Sequence, residues 1–98
     1  SANLFLLMWC NIKGVEWNQE TSFKWSYACY FDDQDLSTAY GVTLEACAQK
    51  CQQTTSCTHF DYYDSTAPQW ALTCYMKYGA GTAIYNAKAY NQCGMLTS

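Results

Sequence analysis

Along this chain, the spacing of hydrophobic and polar residues marks out a few short elements. The clearest two-residue alternation runs from Phe23 to Phe31. Phe23, Trp25, Tyr27, Cys29 and Phe31 share one side, and Lys24, Ser26, Ala28, Tyr30 and Asp32 take the other. This predicts a half-buried strand with Cys29 turned inward. At Leu44, Cys47, Ala48 and Cys51 the spacing changes to i, i+3, i+4 and i+7, the signature of one helical face. The opposite face is wet, with Gln49, Lys50, Gln52 and Gln53. A short helix is therefore expected over 43–53. Thr43 is its N-cap, and Glu45 sits in the first turn, where the helix dipole favours a negative charge.

Beyond the helix, Thr54-Thr55-Ser56 reads as a turn. Thr58, Phe60 and Tyr62 then alternate with His59, Asp61 and Tyr63 on a strand. Residues 64–69 form a hairpin loop around the single proline. Trp70, Leu72, Cys74, Met76 and Tyr78 align on a strand over 70–78. After the turn Gly79-Ala80-Gly81, a last strand over 82–90 ends near Cys93-Gly94. Residues 32–41 read as a polar loop, and residues 15–20 fit neither pattern clearly. At the start, Leu4, Phe5, Leu6, Leu7, Met8, Trp9 and Cys10 make an unbroken apolar run. It suits a strand buried on both faces, or the remnant of a secretory h-region. The strand is preferred, because nothing charged precedes the run and Trp9-Cys10 is a poor cleavage site.

Composition narrows the class. A chain of 98 residues holds one small domain. Seventeen residues are aromatic and only 13% are charged, so Tyr, Thr, Ser, Asn and Gln must cover much of the surface. With a net charge of −3 and five basic residues, no cluster suits nucleic acid. The apolar run is too short to span a bilayer. Seven cysteines, spaced x3 and x5 around one histidine, point to disulfides rather than zinc, and hence to a secreted or surface-displayed protein. No signal peptide is visible, so a chain beginning at Ser1 is expected to be processed already. Cys47 and Cys51 lie one helical turn apart, about 5–6 Å between Cβ atoms. A disulfide needs about 3.8 Å, so the two should bond elsewhere.

The segments Cys29-Tyr-Phe-Asp-Asp-Gln-Asp-Leu36, Thr43-Leu-Glu-Ala-Cys47, Lys50-Cys51, Ser56-Cys57-Thr-His-Phe60, Thr73-Cys74-Tyr-Met-Lys77 and Cys93-Gly94 resemble the PAN/Apple family over the last two thirds of the chain. The resemblance implies a small disulfide-stapled α+β domain, a curved antiparallel sheet packed on one short helix. It also implies the bridges Cys29–Cys93, Cys47–Cys74 and Cys51–Cys57, one of the fifteen connectivities that six cysteines allow. On this reading residues 29–98 are the domain, and residues 1–28 an extension carrying the apolar strand. Cys10 has no family counterpart. It is an inert buried thiol, a bridge to another chain, or a partner taken from Cys29 or Cys93.

Chemistry is sparse. Cys10 and His59 are the only thiol–base candidates, and the apolar run would raise the pKa of Cys10, so no enzyme and no cofactor are expected. His59 and Asp61 read as a surface hydrogen-bonded pair. Asp32, Asp33 and Asp35 resemble the start of a calcium loop, but Thr38 and Leu44 stand where glycine and glutamate are needed. A solvated turn leading into the helix is expected instead. Tyr30, Tyr40, Tyr63, Tyr75, Tyr85 and Tyr90 exceed what so small a core needs. Of these, Tyr30, Tyr63, Tyr75 and Tyr85 are the candidate binding surface, since tyrosine suits protein interfaces and sugar rings alike. The resemblance implies an extracellular module whose partner is a glycan or another protein. The apolar run 4–9, the odd Cys10 and the charge-poor surface suggest an alternative, a subunit that joins copies of itself into a fibre.

Overall fold

A computed structural model describes residues 14–97. The apolar run 4–9 and Cys10 lie outside the described residues. The elements are β1 (Asn18–Gln19), β2 (Phe23–Ser26), β3 (Cys29–Phe31), β4 (Gln34–Tyr40), α1 (Leu44–Gln53), β5 (His59–Tyr63), β6 (Thr73–Tyr78), β7 (Ala83–Tyr85) and β8 (Asn91–Leu96). Six strands form one antiparallel sheet in the order β1-β2-β8-β5-β6-β4, and β3 pairs with β7 as a separate ribbon. The α+β class stands as expected, with one short helix among the described residues.

The helix follows its sequence signals. The Thr43 hydroxyl accepts the Ala46 N–H at 3.1 Å, Glu45 and Lys50 occupy the first and last turns, and the Thr54 N–H caps the far end on Cys51 O. Cys47, Ala48 and Cys51 are buried against Phe60, Tyr62, Cys74 and Met76 on one sheet face. Gly94 faces Phe60 across the β5–β8 pair. A Cβ at Gly94 would meet Phe60 Cζ at 2.3 Å, so the ring occupies the space a side chain would need. The ribbon covers the other face, where Cys29, Phe31 and Cys93 pack with Val15, Trp17, Ala83 and Met95. Three disulfides join these layers: Cys47–Cys74, Cys51–Cys57 and Cys29–Cys93, with Cα separations of 5.5, 5.2 and 5.4 Å.

The strand expected over 23–31 is two strands in different sheets. Ser26 lies opposite Cys93, and Cys29 is bonded to the same Cys93. A continuous strand would carry Cys29 about 10 Å beyond that point. The chain instead turns at Ala28, with φ +56°, and folds back over the sheet, leaving Tyr27 53% exposed. The strand expected from Trp70 begins at Thr73, because Trp70 and Leu72 are left-handed, with φ +64° and +59°. Leu72 closes this loop by donating to Tyr63 O and accepting from the Val42 N–H. The last strand is Asn91–Leu96 and contains Cys93-Gly94, while the 82–90 stretch holds only the short β7. The polar stretch read as a loop is largely β4, a sheet edge that pairs on one side only among the described residues. Residues 18–26, read as part of the extension, pair into the main sheet through β8.

Candidate functional site

Strand register sorts the second sheet face into rows of side chains. Asn91, Tyr63, Thr73 and Tyr40 lie abreast on β8, β5, β6 and β4. Cys93, Asp61, Tyr75 and Thr38 form the next row, then Met95, His59, Lys77 and Asp35. The β3–β7 ribbon covers one part of this face and leaves the tyrosines outside it.

Under the ribbon is a polar cluster that ties it down. Asp61, 8% exposed, accepts the Phe31 N–H at 2.8 Å. Burial pushes its carboxyl up to about 7, against the pull of that N–H and of Lys77. Lys77 Nζ lies 2.7 Å from Asp35 and 3.7 Å from Asp61 and donates to Asp33 O. His59 is fully buried beneath the Phe31 ring, 4.4 Å between centroids. Its Nε2 is 2.7 Å from Asp33, and its Nδ1 is 2.7 Å from the Thr58 hydroxyl. The Gly81 N–H, and then His59, hold the Asp33 carboxyl below its ordinary range.

Two expectations are corrected here. His59 and Asp61 are not a surface pair, since both are buried and each has other partners. The run Asp32, Asp33 and Asp35 is solvated only in part: Asp32 and Asp35 are exposed, but Asp33 holds His59, and Asp35, already on β4, pairs with Lys77. These acids answer to residues distant in sequence, which no local pattern reveals. Hydroxyl, imidazole and carboxylate in a chain is the arrangement of nucleophilic hydrolases. In this fold the imidazole is sealed beneath Phe31 and the carboxylate also holds Gly81, so the chain pins β5 to two loops. Among the described residues, no group of three or more His, Cys, Asp or Glu is placed to hold a metal ion.

The open part of the face is aromatic. Tyr63 packs edge-on against Tyr75 at 5.8 Å and against Tyr90 at 5.9 Å. Tyr40, diagonal to Tyr75 by register, is 71% exposed. Burial raises the Tyr63 and Tyr75 phenols above their ordinary value. Thr73, 2% exposed, floors the row. At its β8 end the Asn91 side-chain oxygen is buried and has no hydrogen-bond partner among the described residues. Of the four tyrosines proposed from sequence, Tyr63 and Tyr75 are thus neighbours. Tyr30 and Tyr85 are on the ribbon, opposite Ile84 and Cys29 respectively, and so on its two different sides. Tyr40 and Asn91, placed by cross-strand register, and Tyr90, placed by its ring contact with Tyr63, complete the row.

Among the described residues, no helix is long and apolar enough to cross a membrane. A search of curated proteins finds no match for this chain. The profile of the PAN domain matches residues 21–96, so the chain belongs to the PAN domain family, whose members are in general extracellular modules for contacts with proteins or carbohydrates.

Proposed function

We propose that this domain is a secreted, non-catalytic contact module that binds a glycan or an extracellular protein through the tyrosine row Tyr40, Tyr75, Tyr63 and Tyr90. The observation carrying this reading is the row itself, uncharged, with Tyr63 packed edge-on between Tyr75 and Tyr90 and Tyr40 exposed beside them. Tyrosine rings offer an apolar body beside polar tips. The pairing suits a hydroxyl-rich or amide-rich partner. Tyr30 and Tyr85 lie apart from it, on the ribbon.

Titration of the labelled protein with soluble neutral oligosaccharides, followed by backbone amide shifts, tests the assignment, with extracellular matrix proteins as the protein arm. Shifts should gather at residues 38–40, 63, 73–75 and 90–91. Tyr63→Ser with Tyr75→Ser should weaken binding at least tenfold, as for the loss of central aromatic anchors. Shifts confined to the helix side, or full affinity in the double variant, would count against this surface.

A second reading is favoured by the open β4 edge. The domain polymerises, its apolar segment Leu4–Trp9 joining a neighbouring subunit, with Cys10 available to bridge chains. The two readings are compatible, since a contact module can be displayed on a fibre.

A further inference from the structure

The main sheet has two edges of unequal kind. One is β1, only two residues long. The other is β4, seven residues and about 23 Å of strand, paired to β6 on one side and, among the described residues, bare along the other. A bare edge presents unpaired N–H and C=O groups to any extended chain. Proteins blunt such edges with bulges and charges, and β4 carries both in its first half: a register shift between Asp35 and Ser37, with Asp35 drawn to Lys77. From Ser37 to Tyr40 the strand is regular and uncharged.

Both faces beside this unguarded half have room for added side chains. Toward the helix, a hollow of about 360 Å³ is lined by Ser37, Ala39 and Met76 of the sheet and by Lys50, Gln53 and Thr54 at the end of the helix. Toward the other face stand Tyr40 and Tyr75. A strand laid along β4 would put alternate residues into the hollow and against the tyrosines. It gains most from burial if it is apolar on both faces. Only one stretch of the sequence has that character at this length: Leu4, Leu6 and Met8 alternate with Phe5, Leu7 and Trp9.

We propose that the β4 edge accepts residues Leu4–Trp9 of a second copy of this chain as an added strand. The proposal rests on the self-assembly reading above and assigns its acceptor. Each copy then gives one strand and receives one. The contact is head-to-tail and need not close, so it propagates into a filament.

Cross-complementation of full-length chains tests this by light scattering. Ser37→Lys with Thr38→Lys puts a charge on each side of the acceptor edge and leaves the donor intact. Leu6→Asp with Leu7→Asp does the converse. Native-like dispersion of the backbone amide spectra confirms that each variant folds. The parent chain should form species of increasing mass, each variant alone should stay at the monomer mass, and an equimolar mixture should give twice that mass and no more. An assembling parent whose mass is unaffected by the lysines would overturn the edge assignment while leaving self-assembly standing. A monomeric parent, with the mixture also monomeric, would remove both, and would leave the segment folded on its own domain.

Discussion

Asp61 makes the stability of this domain depend on pH in an unusual direction. Its carboxyl titrates near 3.8 when exposed and is pushed to about 7 in the fold, chiefly by burial. The native state therefore holds this proton more tightly than the unfolded chain does. A raised carboxyl pKa contributes stability while the group is protonated, and that contribution fades as pH rises from about 4 to about 7. The difference corresponds to about 4 kcal/mol. The groups facing Asp61 are the Phe31 N–H, Lys77 and Asp35, and the first two already oppose the shift. Asp33 does not mask the effect, because its lowered carboxyl contributes fully above 3.8 and is lost only in stronger acid. Urea unfolding with disulfides intact, at half-unit steps from pH 4 to pH 7.5, should show stability falling across that window. Asp61→Asn keeps an oxygen for the Phe31 N–H and removes the titration, so its profile should be nearly flat there. A parent profile that is flat or rising between pH 4 and pH 7, or an equal slope in the variant, would refute the reasoning.

Other outcomes follow from packing and chain connectivity. Gly94→Ala sets a methyl where Phe60 already stands, 2.3 Å from the ring edge and 3.0 Å from Lys24 O. It should cost about 1–3 kcal/mol by overpacking, read as a lower urea midpoint. If the midpoint does not move, Phe60 is freer than its burial implies. Replacing both cysteines of Cys29–Cys93, separated by 64 residues, should destabilise more than replacing both of Cys51–Cys57, separated by 6. Loop-closure entropy sets the difference at about 2 kcal/mol, and equal losses in calorimetry would contradict it.

The helix was legible because its information is local. Thr43, Glu45 and the Leu44–Cys51 spacing act within a few residues, and a cap or an apolar stripe needs no distant partner to declare itself. The alternation of Phe60 and Tyr62 against His59, Asp61 and Tyr63 was legible for the same reason, since a strand turns successive side chains to opposite faces. The misreadings share one cause. Phe23–Phe31 alternates without a break, yet the two halves serve different sheets because one of them is tied to Cys93. Trp70 and Leu72 continue the pattern of β6, but their left-handed backbone belongs to the loop that reaches Val42 and Tyr63. His59 and Asp61 looked like surface groups because charge usually is on the surface, and only the ribbon lying over them makes them interior.

From the sequence alone came the disulfide-rich pattern of cysteines, the α+β class with its capped helix, and an aromatic excess that a small core cannot absorb. These depend on composition and short-range spacing. The tertiary structure decided which tyrosines stand together, which acids are buried, and which strand of the described sheet is left at its edge. Each of those depends on cross-strand register and strand order. They are set when chain segments tens of residues apart compete to bury the same apolar faces, and no window of neighbouring residues contains that competition.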